Sequence, residues 1–467
     1  MSRLVVVSNR LADPRKPAAG GLAVALGEAL NVGGGLWFGW SGRIVETVEG
    51  GKPGEGEVHE RRSGNIKLVS VDLSREDYDA YYLGYANRVL WPIFHYRLDL
   101  AHFNPQALAG YHRVNRLFAK ELLKQLQDDD VVWVHDYHLI PLAAELRALG
   151  SKHRIGFFLH IPLPPQLMLA AIPGHEWLMR SLFAYDLIGF QAESDVVNFA
   201  RYALAEAQAE IRGPERFHAY GRTVMARAFP IGIDVDEFIN LGQEPDALDA
   251  YAMLQDQYAK RRLLVGVDRL DYSKGLPQRI RAFRELLDSY PAQRMSATLI
   301  QIASPSREDV EAYADIRREL ESLCGEINGE YGELDWMPIR YIHRTVARKR
   351  LPGMFRASRV ALVTPLRDGM NLVAKEFVAA QNPDDPGVLV LSRFAGAAEQ
   401  MKEALLVNPY DVQGTAATIE RALLMSQEER VQRHAALLNR IRTRDVHWWR
   451  QAFLDALQND SDLDHGP

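Results

Sequence analysis

Cysteine is almost missing: Cys324 is the single one among 467 residues. That excludes an intrachain disulfide and a cysteine-rich metal cluster, and leaves Cys324 as a buried structural thiol. Long hydrophobic runs are missing too, since no uninterrupted apolar stretch approaches the roughly 20 residues that cross a bilayer. The opening run Leu4 to Val7 is too short for the core of a signal peptide. Positive charge is not in excess either: 55 Lys and Arg face 61 Asp and Glu, a formal net charge of −6. No global field therefore draws nucleic acid or an anionic membrane, and any anion must be caught locally. The dinucleotide fingerprint GxGxxG, the P-loop, the nucleophile elbow GxSxG and the zinc motif HExxH are all missing. What is present, 47% hydrophobic and 25% charged residues, is the balance of a globular protein expected in the cytoplasm.

Short β-branched runs alternate with longer stretches of helical period, the pattern of parallel sheets joined by crossover helices. Strands are predicted at Leu4–Ser8, Val131–His135, Ile155–Leu159 and Leu187–Phe190. A second series follows at Leu263–Val267, Thr298–Ile302, Val360–Thr364 and Val388–Leu391. Val114, Leu117, Phe118, Leu122 and Leu126 mark one helix; Ile280, Phe283, Leu287 and Tyr290 mark another, with Pro277 in its first turn. Ser74 and Asp77 form a capping pattern ahead of Tyr81 and Tyr82. The polar stretch Gly242–Lys260 separates the two series without a strand signal, and Glu46–Asn65 reads as a surface hairpin or loop. Arg340–Arg350 reads as a solvated helix face. Two doubly wound α/β domains are the natural interpretation.

In open α/β sheets, ligands bind beyond the carboxyl ends of the strands. The first strand ends in Ser8-Asn9-Arg10, and Gly20-Gly21 precedes an apolar helix near Leu22, where amides would approach a phosphate. Taken alone, two adjacent glycines are more often an ordinary loop turn. His135-Asp136-Tyr137-His138 and His160-Ile161-Pro162 close the next strands, and carboxylate with imidazole suits sugar hydroxyls. Metal ligation by His135, Asp136 and His138 is the rival reading, and packing at a strand end the plain one. Asp-x-Asp pairs such as Asp234/Asp236 follow no convincing strand beside a glycine turn, so no metal is assigned. Val267 to Gly275 (VDRLDYSKG) puts Arg269 and Lys274 on a loop entering a helix, where two cations suit a departing diphosphate. Thr364 to Glu376 (TPLRDGMNLVAKE) runs from a strand through Asp368-Gly369 into a helix that begins near Asn371. Its free amides suit phosphate oxygens, and Glu376, one turn in, suits the two hydroxyls of a ribose. Surface salt bridges are the plain alternative for both segments.

Together with Leu4–Arg10, WFGWSG at 37–42, LWPIFHYRL at 90–98 and FFLHIP at 157–162, these segments resemble the trehalose-6-phosphate synthases over essentially the whole chain. The resemblance implies the glycosyltransferase-B fold, two Rossmann-like doubly wound domains facing a central cleft. Residues 1–238 would form the acceptor-side domain, 239–447 the nucleotide-sugar-binding domain, and 448–467 a helix crossing back to the first. It implies retaining transfer of glucose from UDP-glucose to glucose 6-phosphate, with no metal and no cofactor; a homo-oligomer is expected. By motif, Arg269, Lys274 and the amides of Gly20, Gly21, Asn371, Leu372 and Val373 would meet the donor diphosphate. Glu376 would hold the ribose, Asp368 and His160 the hexose, and the backbone at Val346 the base. Arg10, Tyr82 and Arg307 would hold the acceptor phosphate, with Trp40, Trp91 and Asp136 around its sugar. The acceptor hydroxyl would attack from the face that UDP leaves, with Arg269, Lys274, Asp136 and His160 as the catalytic set. The rivals are a relative that glucosylates glycerol 3-phosphate, one that uses ADP- or GDP-glucose, and an inactive regulatory binder.

Overall fold

Strand segments that are apolar at consecutive positions must be covered on both faces, which a parallel sheet between helices provides. The structure is a computed structural model that describes residues 2–11, 30, 34–46, 56–307 and 310–459. It divides into two units, Met1–Pro230 with Trp449–Pro467, and Ile231–Trp448. The first division thus falls between Pro230 and Ile231, where the sequence reading set it between Phe238 and Ile239. Helix Val235–Leu241 accounts for the difference, because it packs on helix Leu372–Ala380 of the second unit.

In the first unit the strands are β1 (Leu4–Arg10), β2 (Gly35–Val45), β3 (Val58–Ser63), β4 (Ile66–Ser74), β5 (Val131–His135), β6 (Arg154–Phe158), β7 (Leu187–Phe190), β8 (Glu210–Ile211), β9 (Arg216–Ala219) and β10 (Arg222–Ala228). They lie in the order β3-β4-β2-β1-β5-β6-β7-β10-β9-β8. The strands from β4 to β10 pair in parallel, and β3, β9 and β8 are antiparallel additions at the edges. The hairpin expected within Glu46–Asn65 is β3 turning into β4 at Gly64 and Asn65; residues 47–55 lie outside the described residues. Helix Val446–Asn459 brings Trp449, Phe453 and Leu457 into this unit's core. The Phe453 ring stacks on Trp133 with centroids 4.7 Å apart. Gly156 and Gly189 leave room for it: a Cβ on either would sit 2.8 or 2.7 Å from the ring.

The second unit carries β11 (Arg262–Arg269), β12 (Ala297–Ser304), β13 (Ile339–Ile342), β14 (Val360–Val363), β15 (Val388–Ser392) and β16 (Leu405–Val407). All pair in parallel in the order β13-β12-β11-β14-β15-β16, the doubly wound arrangement that reverses direction between its first and fourth strands. The stretch Gly242–Lys260 holds no strand but folds as helix Pro245–Gln257, burying Ala247, Ala250 and Leu254. Arg340–Arg350 is not a helix face. It is edge strand β13, a loop, and a single turn at Arg348–Arg350; in the strand Ile339 is buried against the sheet while Arg340 is exposed. Cys324 is buried, and burial pushes its thiol up to about 12.

Candidate active site

At a strand-order reversal the two adjacent loops part in opposite directions and leave room for a ligand. In the second unit these are the loops leaving β11 and β14, which carry the two sharpest motifs. Gly275 adopts φ +64° there, and a Cβ on it would lie 2.5 Å from the Thr364 carbonyl oxygen. The Leu366 amide donates to the Ser273 carbonyl at 2.8 Å, holding the two loops together. Lys274 is buried, and its Nζ lies 2.6 Å from Asp368 Oδ2, to which Asn371 Nδ2 also donates at 3.0 Å. Arg269 is exposed at the end of β11. Asn371, at φ +75°, precedes helix Leu372–Ala380 and makes no side-chain cap. The first amides of that helix, including Leu372 and Val373, therefore present unspent donors at the positive end of its dipole.

Glu376 lies one turn further on, half-buried. Burial pushes its carboxyl up to about 7, with Arg348 opposing and Glu237 reinforcing the rise. Behind the loops, buried Arg279 donates to Asp268 Oδ2 at 2.5 Å, Gln301 Oε1 at 3.0 Å and Thr364 Oγ1 at 3.0 Å. That single side chain ties the ends of β11 and β14 together. Burial raises the Asp268 carboxyl despite the Arg279 charge beside it. Val346 lies on the loop after β13, half-buried against the cluster around Ile302 and Met354. Arg307 belongs to this unit, and its Nη1 lies 2.8 Å from Tyr313 Oη and 3.4 Å from Asp271 Oδ2.

The first unit has its own reversal, between β1 and β5, and the other predicted residues collect beside it. Arg10 ends β1 and is exposed. His135 and Asp136 end β5, and His160 follows β6. Asp136 holds φ +77°, ψ 165°, a region that is essentially glycine's and costs about 1–3 kcal/mol for other residues. Its Oδ1 accepts the His160 amide at 3.3 Å. His135 Nδ1 and His160 Nε2 are 3.1 Å apart, and burial lowers both imidazoles, His160 to about 3. His160 is therefore neutral at physiological pH and offers hydrogen bonds, not charge.

Ser74 caps the next element by accepting the Asp77 amide at 3.1 Å, as its spacing predicted. Tyr78–Leu90 is then wound as a π-helix, a rare form associated with functional sites. It stacks Tyr82 on His138, with rings 5.7 Å apart, and on Tyr78 at 5.4 Å. Trp40 lies 5.6 Å from Tyr78 and 6.0 Å from Tyr82. Trp91 is buried beside His95 and Tyr137. Tyr78 joins this aromatic group without having been singled out, and its i, i+4 spacing from Tyr82 is the signal that could have found it. Gly20 and Gly21 lie outside the described residues. Among the described residues, Glu57, His59 and Asp72 form the one group of three whose potential metal ligands approach within 4.8 Å of one another. No helix there is long and apolar enough to cross a membrane.

The sequence profile of glycosyltransferase family 20 matches residues 7–459. The trehalose-6-phosphate synthase of Sinorhizobium fredii is 49% identical over 466 residues, 99% of each chain. A UDP-forming α,α-trehalose-phosphate synthase from Burkholderia xenovorans, solved with glucose 6-phosphate, is 48% identical with a TM-score of 0.93, over 98% of this chain and 100% of that one. The E. coli trehalose-6-phosphate structure bound with UDP-2-fluoro glucose is 48% identical with a TM-score of 0.92, over 98% and 99%. Two parallel-sheet α/β units with this likeness establish the glycosyltransferase-B fold that the family resemblance implied. The chain is an enzyme that belongs to glycosyltransferase family 20, the family of the trehalose-6-phosphate synthases.

Proposed function

We propose that the chain transfers glucose from UDP-glucose to the anomeric hydroxyl of glucose 6-phosphate, with retention and without a metal, releasing UDP and α,α-trehalose 6-phosphate. The observation that carries the donor assignment is the convergence of Arg269, Lys274 and the amide end of helix Leu372–Ala380 on one strand reversal, with Glu376 a turn beyond. A diphosphate needs cations and amide donors; a ribose needs a carboxylate about one turn away. The relative solved with a UDP-2-fluoro glucose shares 48% of its residues with this chain. Lys274 binds Asp368 in the structure described, so donor binding exchanges that carboxylate for the diphosphate and releases Asp368 toward the hexose hydroxyls.

The leaving diphosphate gains charge as the glycosidic bond breaks. Arg269 and Lys274 face that charge, so they stabilise the transition state more than the ground state. In the first unit, Arg10 supplies a cation for the acceptor phosphate, while Asp136 and neutral His160 supply hydrogen-bond partners for hydroxyls. The attacking hydroxyl approaches from the face that UDP vacates, and the departing phosphate takes its proton.

The test is a product assay in EDTA that pairs UDP-glucose in turn with glucose 6-phosphate, glycerol 3-phosphate and water, following UDP release and product NMR. An α,α-1,1-linked phosphorylated disaccharide formed only with glucose 6-phosphate is the expected result. Turnover restricted to ADP- or GDP-glucose overturns the donor, and product with glycerol 3-phosphate overturns the acceptor.

A further inference from the structure

Strand β2 departs from its regular pairing with β4 at one place. Trp40 faces Val71 and Ile44 faces Leu73, so Ser41, Gly42 and Arg43 bulge opposite Asp72 alone. Bulges of this kind re-aim side chains and recur beside active sites. Asp72 is fully buried. Its Oδ1 accepts Ser41 Oγ at 2.5 Å, its Oδ2 lies 3.0 Å from His59 Nε2, and the Arg43 amide donates to Ser41 Oγ at 3.0 Å. Burial opposes ionisation of Asp72, yet Ser41, His59 and Arg43 together hold its carboxyl below the usual range. Trp40 Nε1 donates to the Arg43 carbonyl at 2.8 Å, which locks the far end of the bulge.

The bulge aims at Arg10. Gly42 sits at φ +86°, and a Cβ on it would lie 2.7 Å from Arg10 Nε and Nη2 and 2.9 Å from Cζ. On another side the guanidinium carbon is 5.5 Å from the Trp40 ring centroid, in cation–π range. The Arg10 backbone is in register with Trp40, and the Leu11 amide donates to the Trp40 carbonyl at 2.9 Å. No described carboxylate forms an ion pair with Arg10. The guanidinium thus lies against the Trp40 ring and against a bare glycine.

We propose that Gly42 and buried Asp72 are positioning residues that orient the Arg10 guanidinium for the phosphate of the acceptor. This rests on the assignment of Arg10 to that phosphate. The Cβ clash is with the movable end of a side chain, so Gly42→Ala displaces Arg10, and at φ +86° it also strains the bulge, a cost read from the variant's thermal transition. Asp72→Asn keeps the volume and weakens the anchoring of the bulge.

The experiment measures kcat/KM for glucose 6-phosphate and for glucose in the wild type, Arg10→Ala, Gly42→Ala, Asp72→Asn and the Arg10→Ala/Gly42→Ala double variant, with UDP-glucose saturating. Circular dichroism and the thermal transition of each variant serve as the folding control, because Arg10, Gly42 and Asp72 all lie in the first unit. The preference for the phosphorylated acceptor is expected to fall about tenfold or more in Arg10→Ala and Gly42→Ala, less in Asp72→Asn, through KM and not kcat. The double variant is expected to match Arg10→Ala, because two changes acting through one group are not additive. If Arg10→Ala lowers the preference and Gly42→Ala does not, or if the two losses multiply, the positioning role is overturned while the acceptor assignment stands. If Arg10→Ala leaves the preference intact, the assignment of Arg10 is wrong and the proposal goes with it.

Discussion

With Glu376 holding the donor ribose as proposed, donor binding acquires a pH dependence whose sign follows from the surroundings of that carboxyl. Ribose hydroxyls donate hydrogen bonds, so both are accepted only when the carboxyl, pushed up to about 7, is ionised. Affinity for UDP-glucose therefore rises with pH, by about tenfold between pH 6 and pH 8 for one such group. Stability runs the other way. A folded-state value above the ordinary 4.5 means that the folded chain prefers the proton. That contribution is complete below about pH 4.5 and is lost as pH climbs through 7. The gap between the two values corresponds to at most about 3 kcal/mol, nearer 2 once the partial exposure of the side chain is allowed for. The perturbation is Glu376→Gln, which keeps the shape and removes the charge. Lys375, pushed down to about 7 by burial and by Arg444, titrates over the same range but is untouched by this change. The difference between the two proteins therefore isolates Glu376. Calorimetric titration with UDP-glucose, whose phosphates lose no proton in this range, should show a rising affinity in the wild type and a flatter one in the variant. Thermal unfolding should find Glu376→Gln more stable than the wild type at pH 8 and equal to it near pH 4. Parallel pH dependences in the two proteins would refute the assignment of Glu376.

Three further outcomes follow from particular contacts. Lys274→Met removes the cation proposed to face the leaving diphosphate and leaves Asp368 with Asn371 but without its ion pair, so kcat should fall about a hundredfold while UDP-glucose affinity, measured separately, changes less. Phe453→Ala empties the slot between Gly156 and Gly189 and should destabilise the first unit by about 3–5 kcal/mol, with scanning calorimetry showing an earlier transition and UDP still protecting the second unit. At position 136, Asp136→Gly should be more stable than Asp136→Ala by about 1–3 kcal/mol, because only glycine relaxes at φ +77°. Both should lose acceptor turnover, and equal melting temperatures would show that the strain is not stored there.

The strand ends were legible because parallel strands need continuous apolar runs and the residues after them need charge. Arg269, Lys274, Asp368 and Glu376 stand where a strand pattern gives way to a helix pattern, so side-chain identity and position together point to an anion and a ribose. Less visible were β2 and β13. The first mixes glycine and tryptophan with a bulge, and the second is a four-residue edge strand amid basic residues that suggested a helix. The first-unit site was legible in its residue types and not in its arrangement. Nothing in the letters shows that Tyr78–Leu90 is π-wound, yet that winding accompanies the stacking of Tyr82 on His138 and on Tyr78.

The residues hardest to read are those whose role lies in backbone conformation. Gly42 looks like one glycine among 34, and Asp72 looks like an interruption in a strand. Their meaning appears only when three residues are seen opposite one, with a guanidinium lying where a Cβ would be. Asp136 is the converse case. Its chemistry is plain in the run His135-Asp136-Tyr137-His138, while its cost is hidden, since a carboxylate occupies a conformation that stability alone would give to glycine. A fold under selection for stability only has no reason to keep that side chain there. The presence of a strained carboxylate beside the β1–β5 reversal therefore argues for acceptor chemistry at that point independently of the motif that first marked it, and Asp136→Gly tests that argument directly because it should trade turnover for stability.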